Sequence, residues 1–287
     1  MHLIQTGETR RVRGVVVPSI MYGTAWKEHR TEALTSEAIA CGFRAIDTAN
    51  QRKHYVEAGV GAAIRAAVAR GDTTRASLFL QTKFTYQRGQ DHRLPYDTNA
   101  DLATQVQQSI DSSLKHLGVT RIDSYILHSP SRAYGISNAD WQTWCAMEEA
   151  VYAGRVGLLG VSNISFSQLA ALIEGVKIFP AFVQNRCFAR HRWDADVRAL
   201  CERHDVVYQG FSLLTANRQV LSSPGVIAIA QRHGKTIPQV VFRFAIQLAM
   251  LPLTGTTDSL HMRQDLDIFD FTLSDEDLQT MLELGDP

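Results

Sequence analysis

The sequence predicts an α/β chain folded as a closed (β/α)8 TIM barrel preceded by a short hairpin, and three observations predict it. Eight short apolar runs recur along the chain, nearly continuous in their apolarity, as strands buried on both faces require. Helix-length segments separate most of them. The length, 287 residues, accommodates the roughly 250 residues of eight βα units with some to spare. A doubly wound sheet is the alternative for alternating β and α. No G-x-G-x-x-G follows the first run, which disfavours it.

In chain order, HLIQTGETRRV reads as the hairpin, turning at Gly7. The candidate strands are VPSIMYG (17–23), FRAID (43–47), SLFLQTK (77–83), IDSYILH (122–128), VGLLGVSN (156–163), AFVQN (181–185), VVYQGF (206–211) and LPLTG (251–255). TEALTSEAIACG spaces its apolar residues as a helix does and ends at Gly42, a left-handed stop. ADLATQVQQSIDSSLKHLG does the same at Gly118, and SFSQLAALIEG begins on the N-cap Ser165 and stops at Gly175. No Gly/Ser- or Pro-rich linker interrupts the series, so residues 1–287 are expected to form one domain.

Lys plus Arg equals Asp plus Glu at 29 each, which removes any long-range pull on nucleic acid or anionic lipid. Cysteines 41, 145, 187 and 201 form neither a C-x-x-C pair nor a disulfide framework, and free thiols suit a reducing compartment. The N-terminus has no apolar signal region, and FRFAIQLAMLPL is too short and too polar to span a bilayer. The expectation is a cytoplasmic protein with no metal, no nucleic-acid or membrane partner, and a monomeric or weakly associating state.

In a (β/α)8 barrel the chemistry belongs where strands end. The second run ends in Asp47, the third in Lys83, the fourth in His128, the fifth in Ser162-Asn163 and the sixth in Gln184-Asn185. Singly, each has a bland reading: an aspartate that caps a helix, a solvated lysine, a hydrogen-bonded histidine. Jointly, at one barrel mouth, Asp, Lys and His with a tyrosine make a proton-delivery group. The aspartate holds the lysine, the cation acidifies a nearby phenol, and the histidine orients a carbonyl.

GTAWK, FRAIDTA, QTK, LHSP, GVSN, VQN, GFSLL, GKTIPQVVFRFAIQ and FDFTLSDEDL follow one another in an order that resembles the aldo-keto reductase family over nearly the whole chain. The resemblance implies reduction of an aldehyde or ketone, or the reverse oxidation, with NADPH or NADH and without a metal. It implies Asp47, Lys83, His128 and a tyrosine as the catalytic group. The family's tyrosine stands five residues after the aspartate and three before a helix-starting glutamate. Here those counts land on Arg52 and His54, because the loop is two residues longer. Tyr55 is the phenol between Asp47 and Glu57 and is assigned the proton; His54, as an imidazolium, is the alternative.

The same resemblance assigns Ser162, Asn163 and Gln184 to the nicotinamide carboxamide and Phe211 to stacking on the ring. Ser212, Leu213, Thr215 and Asn217, with Arg218, fall along the pyrophosphate. Gly23, Thr24, Thr254, Gly255 and Thr256 complete the cofactor groove. Where NADPH users carry a lysine, an arginine and an asparagine, this chain has Gly255, His261 and Asp265, with Arg263 off the matching position. Asp265 would repel a 2′-phosphate, so strong NADPH preference is not expected. Trp26, His54, Phe84, Tyr86, Ser129, Pro130 and Tyr134 are the candidate substrate pocket, and FTYQRGQDHRLPYDTN is a candidate cover for the mouth. Two other readings stay open: a weakly catalytic or non-catalytic cofactor-binding barrel, and a barrel enzyme forming a Schiff base on Lys83.

Overall fold

A computed structural model describes residues 7–285. Its first sheet is an antiparallel hairpin, β1 (Thr9–Val12) and β2 (Val15–Pro18). The turn falls at Arg13-Gly14, where both residues have positive φ (47° and 82°), as a two-residue hairpin turn demands. Gly7 therefore precedes the hairpin and does not turn it; residues 2–6, read above as its first strand, lie outside the described residues. The guanidinium of Arg10 ties the hairpin to the barrel by donating to the carbonyls of Ala249 and Met250.

The barrel comprises β3 (Met21–Gly23), β4 (Ala45–Asp47), β5 (Phe79–Phe84), β6 (Ile122–Leu127), β7 (Val156–Ser162), β8 (Phe182–Arg186), β9 (Val207–Phe211) and β10 (Leu251–Thr254). All pair in parallel in the closed order β10-β3-β4-β5-β6-β7-β8-β9. The run 17–23 thus contains the end of the hairpin as well as the first barrel strand. Helices Thr31–Cys41 and Leu102–Leu117 stop at left-handed Gly42 and Gly118, and helix Phe166–Gly175 starts on the capping box of Ser165 and Gln168. Helix Glu57–Arg70 lies so close to its neighbour that a Cβ on Gly61 would sit 2.0 Å from the carbonyl oxygen of His116. Only glycine permits that approach.

Strand alternation sorts the side chains into two cores. Tyr22, Ile46, Leu80, Phe84, Tyr125, Leu127, Val161 and Val183 point outwards, against the helices. Met21, Ala45, Phe79, Ile126, Leu158, Phe182, Leu251 and Leu253 point inwards and pack with Val12 and Val17 of the hairpin. The hairpin therefore closes the apolar lower end of the barrel. The next inward layer is polar: Asp47, Gln81, Lys83, Ser124, Gln184 and Gln209 are all buried there. Polarity at the upper end is what positions the site.

Candidate active site

Lys83 lies at the centre of that layer, with no exposed surface. Its ammonium donates to both carboxylate oxygens of Asp47, at 2.7 Å each, and to the carbonyl of Thr48 at 2.8 Å. All three N–H bonds are thereby used. Asp47 Oδ1 also accepts from Gln81 Nε2 (2.8 Å) and Gln184 Nε2 (3.1 Å). Gln81 and Gln209 bond each other in both directions, and Ser124 donates to Gln81. A buried ion pair loses hydration on both partners, and this mesh of amides replaces it.

Tyr55 lies above the pair, with Lys83 Nζ 5.3 Å from the ring centre, and its ring meets His128 edge-on at 6.0 Å. The expected acidification of the phenol is not found. Burial, with a smaller contribution from the Asp47 charge, pushes the Tyr55 hydroxyl well above the usual phenol range. The lysine, committed to Asp47 and Thr48, has no hydrogen bond to offer the phenol. His128 is held neutral, its pKa lowered to about 3 by burial and then by the charge of Lys83. His54 is also pushed down, by burial and the neighbouring Lys53. A neutral imidazole is a weak proton donor, which disfavours His54 in that role. Its ring instead stacks on Trp26 with centroids 3.7 Å apart, and its carbonyl accepts from the Trp26 N–H.

These groups open into a cleft of about 770 Å³ that runs across the strand ends. Its lining brings together Asp47, His54, Tyr55, His128 and Trp26 with Ser162, Asn163, Gln184 and Phe211, and with Thr254, Gly255, Thr256, His261 and Asp265. Gly23, Ser212, Leu213, Thr215 and Arg218 complete the wall. Trp26, Asn163 and Ser212 hold left-handed backbone, with φ of 61°, 54° and 58°. Such strain persists where surrounding structure enforces it, commonly at binding sites.

Several expected contacts are not made. Phe84 cannot reach the cleft: Lys83 points inwards, so its neighbour points outwards, onto Tyr86 and Tyr96. Thr24 is turned away for the same reason and donates its hydroxyl to the Asp47 carbonyl. Asn217 is buried and clasps its own loop, accepting from the Ala189 N–H and donating to the carbonyls of Cys187 and Leu213. Tyr86 donates to the Asp140 carboxylate, Tyr134 is 90% exposed, and neither these nor Ser129 and Pro130 line the cleft. The loop after Lys83 does not cover the mouth. It braces the Asp47–Tyr55 loop from behind, through Gln51 to the Gly89 carbonyl, Gln90 to the Asn50 carbonyl and Arg93 to the Arg52 carbonyl. Arg263 is directed to Cys41.

Two cationic cleft residues escaped the sequence reading. Lys27 is buried, donates to the Gly255 carbonyl at 2.8 Å and has its pKa lowered by burial to about 8. Arg186 follows Gln184 by two positions and so faces inwards with it, a signal that strand alternation carried all along. Neither Arg186 nor Arg218 makes an ion pair among the described residues. Of the two carboxylates in the cleft, Asp47 is neutralised by Lys83, and Asp265 accepts from Thr254 Oγ1 at 2.6 Å. A cleft with such an excess of free cations suits an anionic ligand with an amide at one end. Gln184 spends its amide hydrogens on Asp47 and Gln209, which leaves its oxygen for a carboxamide N–H.

Residues 20–286 match the profile of the Aldo/keto reductase family. An aldo-keto reductase of Mycolicibacterium paratuberculosis is 31% identical over 259 residues, covering 90% of this chain and 82% of the relative. Morphine 6-dehydrogenase of Pseudomonas putida is 29% identical, with 94% of this chain and 88% of the relative covered. Among solved structures, an aldo/keto reductase from Brucella melitensis superposes with a TM-score of 0.81 at 27% identity, over 99% of this chain and 100% of the other. A silkworm (Bombyx mori) aldo-keto reductase complexed with NADPH gives 0.83 at 25% identity, over 96% and 87%. The chain belongs to the aldo/keto reductase family of oxidoreductases.

Proposed function

We propose that this protein interconverts an aldehyde or ketone and the corresponding alcohol by direct hydride transfer, with Tyr55 exchanging the proton. The observation that carries the reading is the convergence of Tyr55 and His128, over the buried Asp47–Lys83 pair, on one end of a cation-rich cleft. A nicotinamide cofactor, when bound here, would supply the hydride. Asn163, Ser162 and Gln184 would hold its carboxamide, and Phe211 would offer its face to the ring. Arg186 and Arg218, beside Ser212, Leu213 and Thr215, would neutralise the pyrophosphate; Lys27, Gly255, Thr256 and His261 would receive the adenosine end.

Hydride arrival leaves an alkoxide, a far stronger base than a phenolate, so even a phenol of raised pKa gives up its proton to it. The raised value also keeps Tyr55 protonated across the neutral range. Lys83, held in place by Asp47, sets its ammonium 5.3 Å from the centre of the ring, where it favours the phenolate as it forms. His128, neutral, donates to the carbonyl oxygen and aims it. Trp26 and His54 form an aromatic wall for the substrate's apolar part. Schiff-base chemistry on Lys83 finds no support: the amine lies beneath the cleft wall with all three hydrogens committed.

The test follows loss of reduced cofactor in a panel of aldehydes and ketones, with NADH and NADPH in parallel. Turnover of some panel members is expected. Tight cofactor binding with no turnover of any carbonyl, and none of the alcohols in reverse, would instead make the barrel a cofactor-binding protein.

A further inference from the structure

Thr85, the first residue beyond β5, is buried and unassigned by anything above. Its hydroxyl oxygen lies 2.7 Å from Nδ1 of His128, the only hydrogen-bond partner of that hydroxyl among the described residues. The backbone on both sides is fixed. The Thr85 carbonyl accepts from the Tyr96 hydroxyl at 2.7 Å and from Gln90 Nε2, and the His128 N–H donates to the Phe84 carbonyl at 2.9 Å. The Asn163 amide donates to the His128 carbonyl at 2.9 Å. Thr85 and His128 are thus held face to face by neighbouring strand ends.

A neutral imidazole carries one proton, on Nδ1 or on Nε2, and the two tautomers present opposite chemistry to the cleft. With the proton on Nδ1, the ring would donate to Thr85, and the threonine's own hydrogen would be left buried without an acceptor. With the proton on Nε2, the threonine donates to Nδ1 and every buried group is satisfied. Hydrogen-bond accounting therefore selects the second arrangement. Lys83, Tyr55 and His54 are the titratable neighbours of the ring, which burial first and then the charge of Lys83 keep neutral.

We propose that Thr85 is a positioning residue, whose hydroxyl donates to His128 Nδ1 and holds the imidazole in the tautomer that offers an Nε2–H to a carbonyl oxygen in the cleft. The catalytic consequence rests on the carbonyl-reductase reading above; the tautomer itself does not. Without the Thr85 hydroxyl, Nδ1 loses its donor, the Nδ1–H tautomer becomes accessible, and an Nε2 lone pair would then face the substrate oxygen and repel it.

The experiment compares Thr85→Val, which keeps the shape and removes the hydroxyl, with Thr85→Ser, which restores it. Nitrogen-15 NMR of histidine-labelled protein reports the tautomer directly, with the His128 signals assigned by their loss in His128→Gln. Wild type and Thr85→Ser should show Nδ1 unprotonated and Nε2 protonated, and Thr85→Val a shift towards protonated Nδ1. Thr85→Val should lose about tenfold in kcat/KM for the carbonyl, the scale of one hydrogen bond, with unchanged cofactor affinity and rescue by Thr85→Ser. An Nδ1–H tautomer in the wild type overturns the proposal, as does a Thr85→Val spectrum unchanged from it. Activity lost equally in Thr85→Val and Thr85→Ser would mark a merely structural role and overturns it too. The NMR arm needs no turnover, so a protein that reduces no carbonyl still tests the tautomer while refuting the functional reading separately.

Discussion

Tyr55 is asked to release a proton from surroundings that oppose ionisation, and the environment of each nearby group decides how that is possible. Burial and Asp47 raise the phenol, so the phenolate must be stabilised at the moment it forms, by the cation of Lys83 beneath the ring. Tyr55→Phe retains the ring and removes the hydroxyl; it should slow single-turnover hydride transfer by about 100-fold or more. Cofactor affinity should be nearly intact, because the proposed carboxamide contacts, Ser162, Asn163 and Gln184, are untouched. His54→Ala should act more on substrate binding, because its ring stacks on Trp26 and its imidazole is pushed towards neutrality. Stopped-flow traces of the two variants across pH separate the roles. A normal rate in Tyr55→Phe with a stalled His54→Ala would hand the proton to the imidazole. At this scale the sequence was legible wherever a side chain follows strand alternation. Asp47, Lys83, His128 and Gln184 all belong to inward-facing series, whereas placing Phe84 and Thr24 in the cleft breaks the same rule. What one sequence could not reveal is that Lys83 has no hydrogen left for Tyr55, because Thr48 takes the third through its backbone carbonyl.

The loops and strand ends set cofactor recognition. Gly255, at the end of β10, carries no charge, but Lys27 from the loop after β3 reaches its carbonyl and brings a cation to the same place. Burial lowers that ammonium to about 8, so the cation is lost as pH rises through 8. Cofactor affinity, measured by fluorescence titration, should weaken between pH 7 and pH 9. Lys27→Met should bind about tenfold more weakly at pH 7, the scale of a charge-assisted hydrogen bond, and should lack that pH dependence. A variant with wild-type affinity and slope would remove Lys27 from the phosphate-binding set. Asp265, in the helix Ser259–Leu266, is raised by burial from 3.8 to about 6. Because the folded chain holds this proton more tightly than the unfolded one, stability falls as pH rises from about 4 to 6, and the full penalty is present above that. Asp265→Asn should therefore be stabilised at pH 7, by up to about 3 kcal/mol, and little at pH 4. It should also shift the NADPH to NADH ratio of kcat/KM towards NADPH. A shift towards NADH would displace Asp265 from the adenosine end. Loops were the least legible elements. The hairpin turn lies at Arg13-Gly14 because two consecutive left-handed residues satisfy it there, and a lone glycine at position 7 carried no such pairing. The loop after Lys83 is a brace because side-chain donors of each loop find backbone carbonyls of the other, partners that no periodicity reports.

The whole molecule separates its two tasks along the barrel axis. The apolar lower layer, closed by the hairpin, supplies the inner core, and the polar upper layer carries the site. That division was legible in outline because buried parallel strands write near-continuous apolar runs, and the polar residues that interrupt them fall at their carboxyl ends. No helix among the described residues is long and apolar enough to cross a membrane. The central claim, hydride passing from a nicotinamide in the cleft to a carbonyl carbon beside Tyr55, has one direct test. NADH and NADPH deuterated at C4 of the nicotinamide, one face at a time, are turned over with the most active carbonyl of the panel, and the alcohol is analysed by mass spectrometry and NMR. The account predicts deuterium on the former carbonyl carbon from one face only, with the label unchanged by the pH of the solvent. Product that carries solvent hydrogen at that carbon, or label from both faces alike, would contradict it.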